Sequence, residues 1–331
     1  MATIDWKAFH ALVDQYDSFL LTSHIRPDCD ALGSELGMAA LLESKGKRVR
    51  IVNGHPTPPN LRFIDPDGKI ESIGEQLTTE QVAAEPFDVM IILDTSAWAQ
   101  LGPMGDVVKA TSARKLIVDH HVSQDELGAE LFKDTDAEAA GVLVVEAVNA
   151  AQVALHEKAA MALFAAVATD TGWFRFPSTR PRTFHVAAQL MDWGAQPAAI
   201  YGSLYEQDSL GRMLLRGRVL NRIEVDLGGR LAWTHILKED YEQTGALPSD
   251  TEDLVNHLLM IRGTEAAVIF VEQPTGGFKL SFRSRCELNC AEVAGVFGGG
   301  GHRAAAGAFV PGSFAEAEQP VLNAVRERMQ G

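Results

Sequence analysis

Short apolar segments alternate with helical patterns over about the first 180 residues, and this alternation constrains the fold more than any other feature. Residues 19–21, 48–53, 87–96 and 115–118 have strand character. The centre of 87–96 is continuously apolar, which is typical of a strand buried on both faces of a parallel sheet. The alternation predicts a doubly wound parallel α/β domain, in which ligands bind beyond the carboxyl ends of the strands.

The first strand leads into residues 23–34, SHIRPDCDALGS, which crowd an imidazole and two carboxylates into a strand-to-helix loop. Pro27 favours a turn there, and Asp30 is predicted to be the N-cap of the following helix. His24, Asp28 and Asp30 would be poorly accommodated unless a cation lay among them. A metal site is one interpretation of the loop; an ordinary capped helix beside a loop histidine is the other.

Further polar residues follow the later strands. Asp94 ends the third strand, and the triplet DHH at 119–121 ends the fourth. Asp170 comes just beyond a predicted helix over 157–168. The sheet pattern therefore predicts one cluster at the strand ends, formed by His24, Asp28, Asp30, Asp94, His120 and His121, with Asp170 nearby.

Carboxylates with a minority of imidazoles suit Mn²⁺ or Mg²⁺ better than a metal that prefers thiolates. Two such ions about 3.5–4 Å apart can activate a water and stabilise an in-line phosphoryl displacement. The helix after the first loop carries Gly33 and Gly37 on one face, which we expect to permit close packing on the sheet.

The second half of the chain changes character. Residues 181–222 are predicted to be helical. Their arginines at 212, 216, 218 and 222 could form a cationic stripe that faces a nucleotide, but they are more typical of a solvated helix face. Hairpins are predicted at 221–235 and 266–283, with a helix between them that begins at Ser249 or Asp250 and runs through Ile261. We therefore expect a catalytic domain over 1–185, a helical linker over 186–222, and a smaller mixed-sheet α/β domain over 223–331 with helices on one face. The active site is expected in the cleft between the two domains.

A glycine run at 298–301 precedes His302 and Arg303, so its backbone amides could surround a phosphate or a ribose. Arg283, Ser284 and Arg285 lie at the end of a predicted strand close to it in sequence. A dinucleotide-binding fingerprint does not fit, because the glycine run follows a helix and not a strand.

A formal charge of −15 argues against a long nucleic-acid track but is compatible with a short nucleotide. We find neither an apolar run long enough to span a membrane nor a signal peptide, and we expect a cytoplasmic protein without membrane contact. The 3 cysteines are too few for a disulfide framework or a four-ligand zinc site. A homodimer is compatible with the sequence.

Five ordered motifs resemble the DHH phosphoesterase superfamily, specifically its members with a DHH-associated C-terminal domain. The motifs are HIRPDCDALGS at 24–34, Asp94, DHH at 119–121, Asp170 within ATDTG, and GGGGH at 298–302. The closest resemblance is to the group that hydrolyses short oligoribonucleotides to mononucleotides and 3′-phosphoadenosine 5′-phosphate (pAp) to AMP.

This resemblance implies two Mn²⁺ ions, with Mg²⁺ or Co²⁺ as substitutes. His24, Asp28 and Asp94 would hold one ion; the other would be held by Asp30, Asp94, His120 and Asp170. Asp119 would orient a histidine and His121 would face the substrate phosphate, so Asp94, Asp119 and His121 are the candidate catalytic residues. The candidate substrate-binding residues are Arg283, Ser284, Arg285, Gly300, Gly301 and His302. Val122 and Cys29 depart from the family pattern, which affects loop geometry more than chemistry.

Four other functions are weighed against this one. A manganese inorganic pyrophosphatase would share the N-terminal ligands, but the chain has no lysine-rich C-terminal counterpart, and a RecJ-type exonuclease would need a basic groove lined by aromatic residues. A cyclic or linear dinucleotide phosphodiesterase remains an alternative, since its substrate is equally small and anionic. A nucleotide-binding sensor without catalysis is the alternative outside the enzymes.

Overall fold

The computed structural model describes residues 4–330, and the chain divides into two compact units, residues 1–207 (unit 1) and 208–331 (unit 2). The boundary falls within the segment 186–222 that the sequence predicts as a helical linker. In the described part of the chain, no helix is both long and apolar enough to cross a membrane.

Unit 1 is built on one parallel sheet with helices on both faces. Its strands are β1 (Ser18–Thr22), β2 (Arg48–Asn53), β3 (Ile70–Ser72), β4 (Val89–Leu93), β5 (Arg114–Asp119) and β6 (Glu130–Lys133). Its helices are α1 (Trp6–Val13), α2 (Cys29–Ser44), α3 (Thr79–Ala84), α4 (Trp98–Leu101), α5 (Met104–Ala110), α6 (Ala140–Ala150), α7 (Glu157–Asp170), α8 (Pro181–Asp192) and α9 (Pro197–Tyr205), together with a 3₁₀ helix at Pro59–Ile64.

The strand order is β3-β2-β1-β4-β5-β6, and every neighbouring pair is parallel. Alternate residues of the central strands face two separate cores: Phe19 and Ile91 contact the core that includes α2, α6 and α7, whereas Leu20 and Met90 contact the core that includes α5. The predicted doubly wound fold is therefore confirmed. The chain order reverses between β1 and β4, and such a switch point is where ligands bind in sheets of this kind.

Helix α2 packs closely against α7, and its glycines permit the approach. A Cβ atom at Gly33 would lie 2.3 Å from the carbonyl oxygen of Ala162, and one at Gly37 would lie 2.7 Å from the side chain of Leu163. The prediction that these glycines face the sheet was wrong; they face the neighbouring helix. Their position holds the first turn of α2 close to the last turns of α7.

Unit 2 contains a mixed sheet. Its strands are β7 (Glu224–Asp226), β8 (Leu231–Ile236), β9 (Ala266–Glu272), β10 (Phe278–Ser284), β11 (Gly300–Gly301) and β12 (Ala305–Val310), in the order β11-β12-β10-β9-β8-β7. Its helices are α10 (Leu210–Asn221), α11 (Lys238–Thr244), α12 (Leu254–Leu259), α13 (Cys290–Val296) and α14 (Phe314–Gln330), with 3₁₀ turns at Leu227–Gly229 and Pro248–Thr251. Only the β8–β9 pair is parallel among these strands.

Helices cover both faces of this sheet, not one face as predicted. Phe270 contacts a core that includes α13 and α14, whereas its neighbour Ile269 contacts a core that includes α10 and α12. Both predicted hairpins are present, as β7–β8 and β9–β10. The helix predicted from Ser249 to Ile261 is shorter, because the 3₁₀ turn and the left-handed backbone of Asp253 (φ 64°) precede α12.

The arginines of α10 are paired with acidic residues. Arg212 and Arg216 contact Asp208, at 3.2 and 2.7 Å. Arg218 and Arg222 contact the buried carboxylate of Asp240. These contacts neutralise the arginines within unit 2, so α10 does not present a free cationic stripe.

Candidate metal centre

The loop between β1 and α2 carries His24 close to the end of β1 and Asp28 at the start of α2. Asp28, not Asp30 as predicted, is the N-cap: its Oδ1 accepts hydrogen bonds from the backbone amides of Asp30 and Ala31, at 2.9 and 3.1 Å. The predicted cap lies two residues too far along the chain, because α2 already begins at Cys29, directly after Asp28. The His24 Nδ1 lies 2.9 Å from the carbonyl oxygen of Ile25, which leaves Nε2 as the nitrogen available to a metal.

Asp30, two residues after Asp28, is the second residue of α2 and is buried. Its Oδ2 accepts a hydrogen bond from the amide of Ala140 at 2.7 Å, and its Oδ1 accepts one from Gly141 at 2.9 Å. These amides begin α6, whose own N-cap residue, Ala139, has no side chain that could cap it. Asp30 therefore caps a second helix from outside, and this fixes the direction of its carboxylate.

Asp94 follows β4 and is the centre of the cluster. Its backbone is left-handed (φ 59°), which is uncommon for a residue with a side chain, and only 2% of it is exposed. Its Oδ2 lies 3.4 Å from Nε2 of His24, and its Oδ1 lies 3.3 Å from Nε2 of His120. Oδ1 is buried without a hydrogen-bond partner, a costly state for a carboxylate oxygen that a bound cation would relieve.

His120 connects Asp94 to the remaining carboxylates. Its Nδ1 lies 3.1 Å from the carbonyl oxygen of Ala137, so that Nε2 faces the cluster. This nitrogen lies 3.6 Å from Asp30 and 3.7 Å from Asp170, the last residue of α7. All the predicted ligands of the N-terminal unit are therefore brought together.

Three groups of these side chains have ligand atoms within 4.8 Å of one another and could each hold an ion. The groups are His24 with Asp28 and Asp94; Asp30 with His120 and Asp170; and Asp94 with His120 and His121. The first group is the set that the family resemblance implies for one ion, and the second is the set implied for the other ion without Asp94. Asp94 belongs to the first and contacts the histidine of the second, so it lies between them. The oxygen and imidazole donors fit hard or borderline divalent cations.

The electrostatics of the cluster also favour a cation. Burial would lower the pKa of His24, but the carboxylates of Asp28 and Asp94 outweigh burial and raise it to about 11. Burial and the neighbouring carboxylates raise the pKa of Asp30 and of Asp170. Without an ion, the group must therefore hold protons that a divalent cation would replace.

The first residue of the DHH triplet positions the third. Asp119 Oδ1 accepts hydrogen bonds from the backbone amide and from Nδ1 of His121, at 3.1 and 2.9 Å. Its Oδ2 accepts a hydrogen bond from Ser96 at 2.7 Å and lies 3.1 Å from Nζ of Lys133. Burial opposes ionisation of Asp119, but these contacts outweigh it and hold its pKa well below the usual range. His121 is half exposed and is oriented by an anion.

A second buried network supports the loop before His24. Asn53, at the end of β2, accepts a hydrogen bond from the amide of Ser23 at 3.0 Å and donates one to Glu35 Oε2 at 3.0 Å. Burial raises the pKa of Glu35 to about 7. Sequence reasoning missed Glu35, Asn53 and Lys133, although a carboxylate between apolar positions of α2 is a signal that could have drawn attention to Glu35.

The candidate residues of unit 2 have different environments. Arg283 is partly exposed at the end of β10, whereas Ser284 is buried and bonds to the backbone of Cys286. Arg285 donates to the carbonyl oxygen of Thr264 at 2.6 Å. Gly300 and Gly301 form β11, and both are exposed together with His302. Ser281, which shares the exposed face of β10 with Arg283, was not predicted.

A cluster of carboxylates and imidazoles at the switch point of a doubly wound sheet is typical of a metal-dependent phosphoesterase. Comparison with known families agrees. The DHH family N-terminal domain matches residues 18–169, and the DHHA1 domain matches residues 236–331. The chain belongs to the DHH family of phosphoesterases and carries the DHHA1 domain; it is a phosphoric ester hydrolase.

Three relatives illustrate the relationship. The chain is 30% identical to the bifunctional oligoribonuclease and PAP phosphatase of Thermus thermophilus, over 93% of this chain and 89% of that protein. It is 27% identical to the Bacillus subtilis protein of the same description, over 90% and 91%. The cyclic-di-AMP phosphodiesterase of Listeria monocytogenes is 25% identical over 98% of this chain but 50% of its own length.

Solved structures show the same architecture. An exopolyphosphatase-related protein from Bacteroides fragilis superposes with a TM-score of 0.78 at 25% identity, covering 97% of this chain and 95% of that one. The exonuclease RecJ bound to manganese has a TM-score of 0.53 at 12% identity, covering 100% and 96%, and shares the fold.

Proposed function

We propose that this chain hydrolyses short oligoribonucleotides to mononucleotides and pAp to AMP. The observation that carries the proposal is the pair of ligand groups with Asp94 between them. The relatives with both domains and matching length, described as oligoribonuclease and PAP phosphatase, support the choice of substrate. We further propose a cytoplasmic location, to be tested by fractionation, and a homodimer, to be tested by light scattering.

The proposed resident ions are two Mn²⁺, which Mg²⁺ or Co²⁺ could replace. His24, Asp28 and Asp94 would hold one; Asp30, Asp94, His120 and Asp170 would hold the other. When bound, such ions would neutralise phosphate charge and lower the pKa of an attacking water. The geometry that supports this assignment is the 3.4 and 3.3 Å approach of the two Asp94 oxygens to different histidines.

His121 is proposed to donate a hydrogen bond to the substrate phosphate. Because Asp119 accepts from Nδ1 at 2.9 Å, Nε2 is the ring nitrogen left to face a ligand. The same carboxylate raises the pKa of His121, which favours the protonated, donating form. Asp119 acts in this proposal as a positioning residue.

We also propose that four residues of unit 2 contact a phosphate or a sugar of the substrate: Arg283, Gly300, Gly301 and His302. Their exposure supports this role. Ser284 and Arg285 already bond to nearby backbone atoms. They would contact the substrate directly only if those bonds rearranged; otherwise they would act indirectly, by holding the end of β10 in place.

Product analysis tests the proposed function. The purified chain is incubated with Mn²⁺ or with chelator on pAp, RNA of two to five nucleotides, a cyclic dinucleotide and pyrophosphate, and the products are separated by chromatography. Release of AMP from pAp and of mononucleotides from RNA, only with Mn²⁺, is the expected result. Nucleotide binding without consumption of any substrate would instead favour the sensor.

A cyclic dinucleotide phosphodiesterase is the second candidate, favoured by the Listeria relative that matches 98% of this chain. The same substrate panel separates the two. Turnover of the cyclic dinucleotide with no release of AMP from pAp would support the metal-centre assignment and show that the proposed substrate is wrong.

A further inference from the structure

One face of the unit 2 sheet is covered by helices at β9 but is accessible to solvent at β10. On β9, Ile269 and Val271 are buried in the core that includes α10 and α12. On β10, side chains alternate between the two faces of the sheet. Lys279, Ser281 and Arg283 lie on that same face, and Leu280 and Phe282 are buried on the other. Lys279 is exposed, and Ser281 and Arg283 are partly exposed.

Strand β12 continues the accessible face. Its register pairs Ala305 with Arg283, Gly307 with Ser281, and Phe309 with Lys279. Ala305 and Gly307 leave room above the strand because they are small. Phe309 is 49% exposed, although large aromatic side chains are normally buried. We call these residues, Lys279, Ser281, Arg283, Ala305, Gly307 and Phe309, the open strip.

Two adjoining cavities lie beside the open strip. One has a volume of about 240 Å³ and is lined by Ser281 and Arg283; the other has a volume of about 460 Å³. Both are lined by Lys279, Thr251 and Val271, so Lys279 stands where they meet. Together they offer a concave surface beside the strip.

The cations of the open strip are unpaired. Within the described residues, neither Lys279 nor Arg283 contacts an acidic side chain, and Arg283 donates to the carbonyl oxygen of its neighbour Phe282 at 3.1 Å. Glu252 and Asp253 also line the smaller cavity, and Glu242 and Glu272 line the larger one, so an anionic backbone is favoured along the strip itself and not inside the cavities.

The composition of the open strip fits a single-stranded nucleic acid. Side chains on one face of a strand recur about every 6.8 Å, so Lys279 and Arg283, four residues apart, are about 14 Å apart along the strand and can each reach a different phosphate of an extended chain. Phe309, directly opposite Lys279, offers a face for base stacking, and stacking on sheet aromatics combined with nearby cations is how many proteins bind single strands.

We propose that the open strip binds an oligoribonucleotide, with phosphates on Lys279 and Arg283 and a base on Phe309. The proposal rests on the proposed function and deepens it: it makes oligoribonucleotides of three to five nucleotides better ligands than pAp, which is too short to occupy the strip along its length. Lys279 and Phe309 are then specificity-determining residues for longer substrates.

Binding to the full chain in chelator tests the strip without hydrolysis. The dissociation constants of a fluorescent pentaribonucleotide and of pAp are measured for the unmodified chain, Lys279→Gln, Phe309→Leu and the control Lys7→Gln, which removes the same charge from an exposed position on α1. We expect Lys279→Gln and Phe309→Leu each to weaken pentanucleotide binding about fivefold or more and to leave pAp binding unchanged. Lys279→Gln should also reduce the slope of log K against log salt by about 0.7.

Equal effects of Lys279→Gln and Lys7→Gln on pentanucleotide binding would overturn the proposal. It would also be overturned if the strip variants weakened the binding of pAp and of the pentanucleotide equally, or if the unmodified chain did not bind the pentanucleotide. Thermal unfolding of each variant shows that it is folded. Strip-dependent binding without hydrolysis of any substrate would refute the proposed function and leave the open strip standing, so the two failures are distinguishable.

Discussion

Lys133 Nζ lies 3.1 Å from Oδ2 of Asp119, and both side chains are almost wholly buried, with 9% and 0% exposed. The ammonium also donates to the Ser123 carbonyl oxygen at 2.8 Å. It thus joins β6 to the loop that follows the DHH triplet. Together with the hydrogen bonds from His121 and Ser96, this pair keeps Asp119 ionised behind His121, and it suggests the first of five predictions.

Lys133→Met should lower the free energy of unfolding by about 3 kcal/mol, because it removes a buried counter-charge from the carboxylate of Asp119. Urea denaturation measures the change. Lys109→Met, which breaks the exposed pair with Asp106, is the matched control and should change the free energy of unfolding by less than about 1 kcal/mol. Equal effects of the two substitutions would show that the buried pair is not what stabilises this loop.

Gly33→Ala should destabilise the chain by about 2–3 kcal/mol, since the added methyl would meet the Ala162 carbonyl oxygen at 2.3 Å and force α2 away from α7. Gly217→Ala is the control: this helical glycine of α10 has no atom within 4 Å of an added Cβ. That substitution should stabilise by about 0.8 kcal/mol through helix propensity. Thermal and urea unfolding measure both, and a neutral Gly33→Ala would contradict the close helix contact.

Mn²⁺ binding at pH 7.5 should release protons, about two per chain, because the carboxylates raise the pKa values of His24 and His120 and a coordinating imidazole nitrogen must lose its proton. Calorimetric titrations in PIPES, HEPES and Tris measure the release through the dependence of the apparent enthalpy on the buffer. An enthalpy that is the same in all three buffers would mean that neither histidine gives up a proton to the metal.

Glu35 should make the chain less stable as the pH rises. Burial raises its pKa from 4.5 to about 7, so between these values the folded state holds a proton that the unfolded state releases. The free energy of unfolding should therefore fall by up to about 3 kcal/mol over this range relative to Glu35→Gln. Urea denaturation from pH 4.5 to 8 in chelator tests this, with exposed Glu75→Gln as control. A constant difference between the unmodified chain and Glu35→Gln would contradict the assignment.

The central strands and the ligand cluster could be predicted because the part of a parallel strand that is buried on both faces is apolar, as in all of β4 and in residues 116–118 of β5. A carboxylate or imidazole directly after such a strand is then at the ligand-binding edge of the sheet. That reasoning placed His24, Asp94 and His120 correctly relative to one another. The short edge strands β3 and β6 lack this signal and were not predicted.

Other features depend on contacts between distant segments. Asp30 caps α6, 110 residues away, so nothing in its local sequence shows that its carboxylate is already bonded to amides. Lys133 neutralises Asp119 through a pairing of strands that the pattern of β6 does not reveal. The burial of Ser284 follows from the alternation along β10, which could have been applied to distinguish it from Arg283 and to identify Ser281.

The most direct test of the account compares hydrolysis of pAp and of a pentaribonucleotide with saturating Mn²⁺ by the unmodified chain, Asp94→Asn, and the exposed control Asp106→Asn. Circular dichroism establishes that each is folded. The account predicts that Asp94→Asn lowers kcat at least about 1,000-fold on both substrates, because the carboxylate between the two ligand groups is lost, and that Asp106→Asn has no effect. A folded Asp94→Asn chain with full activity would contradict the two-metal assignment.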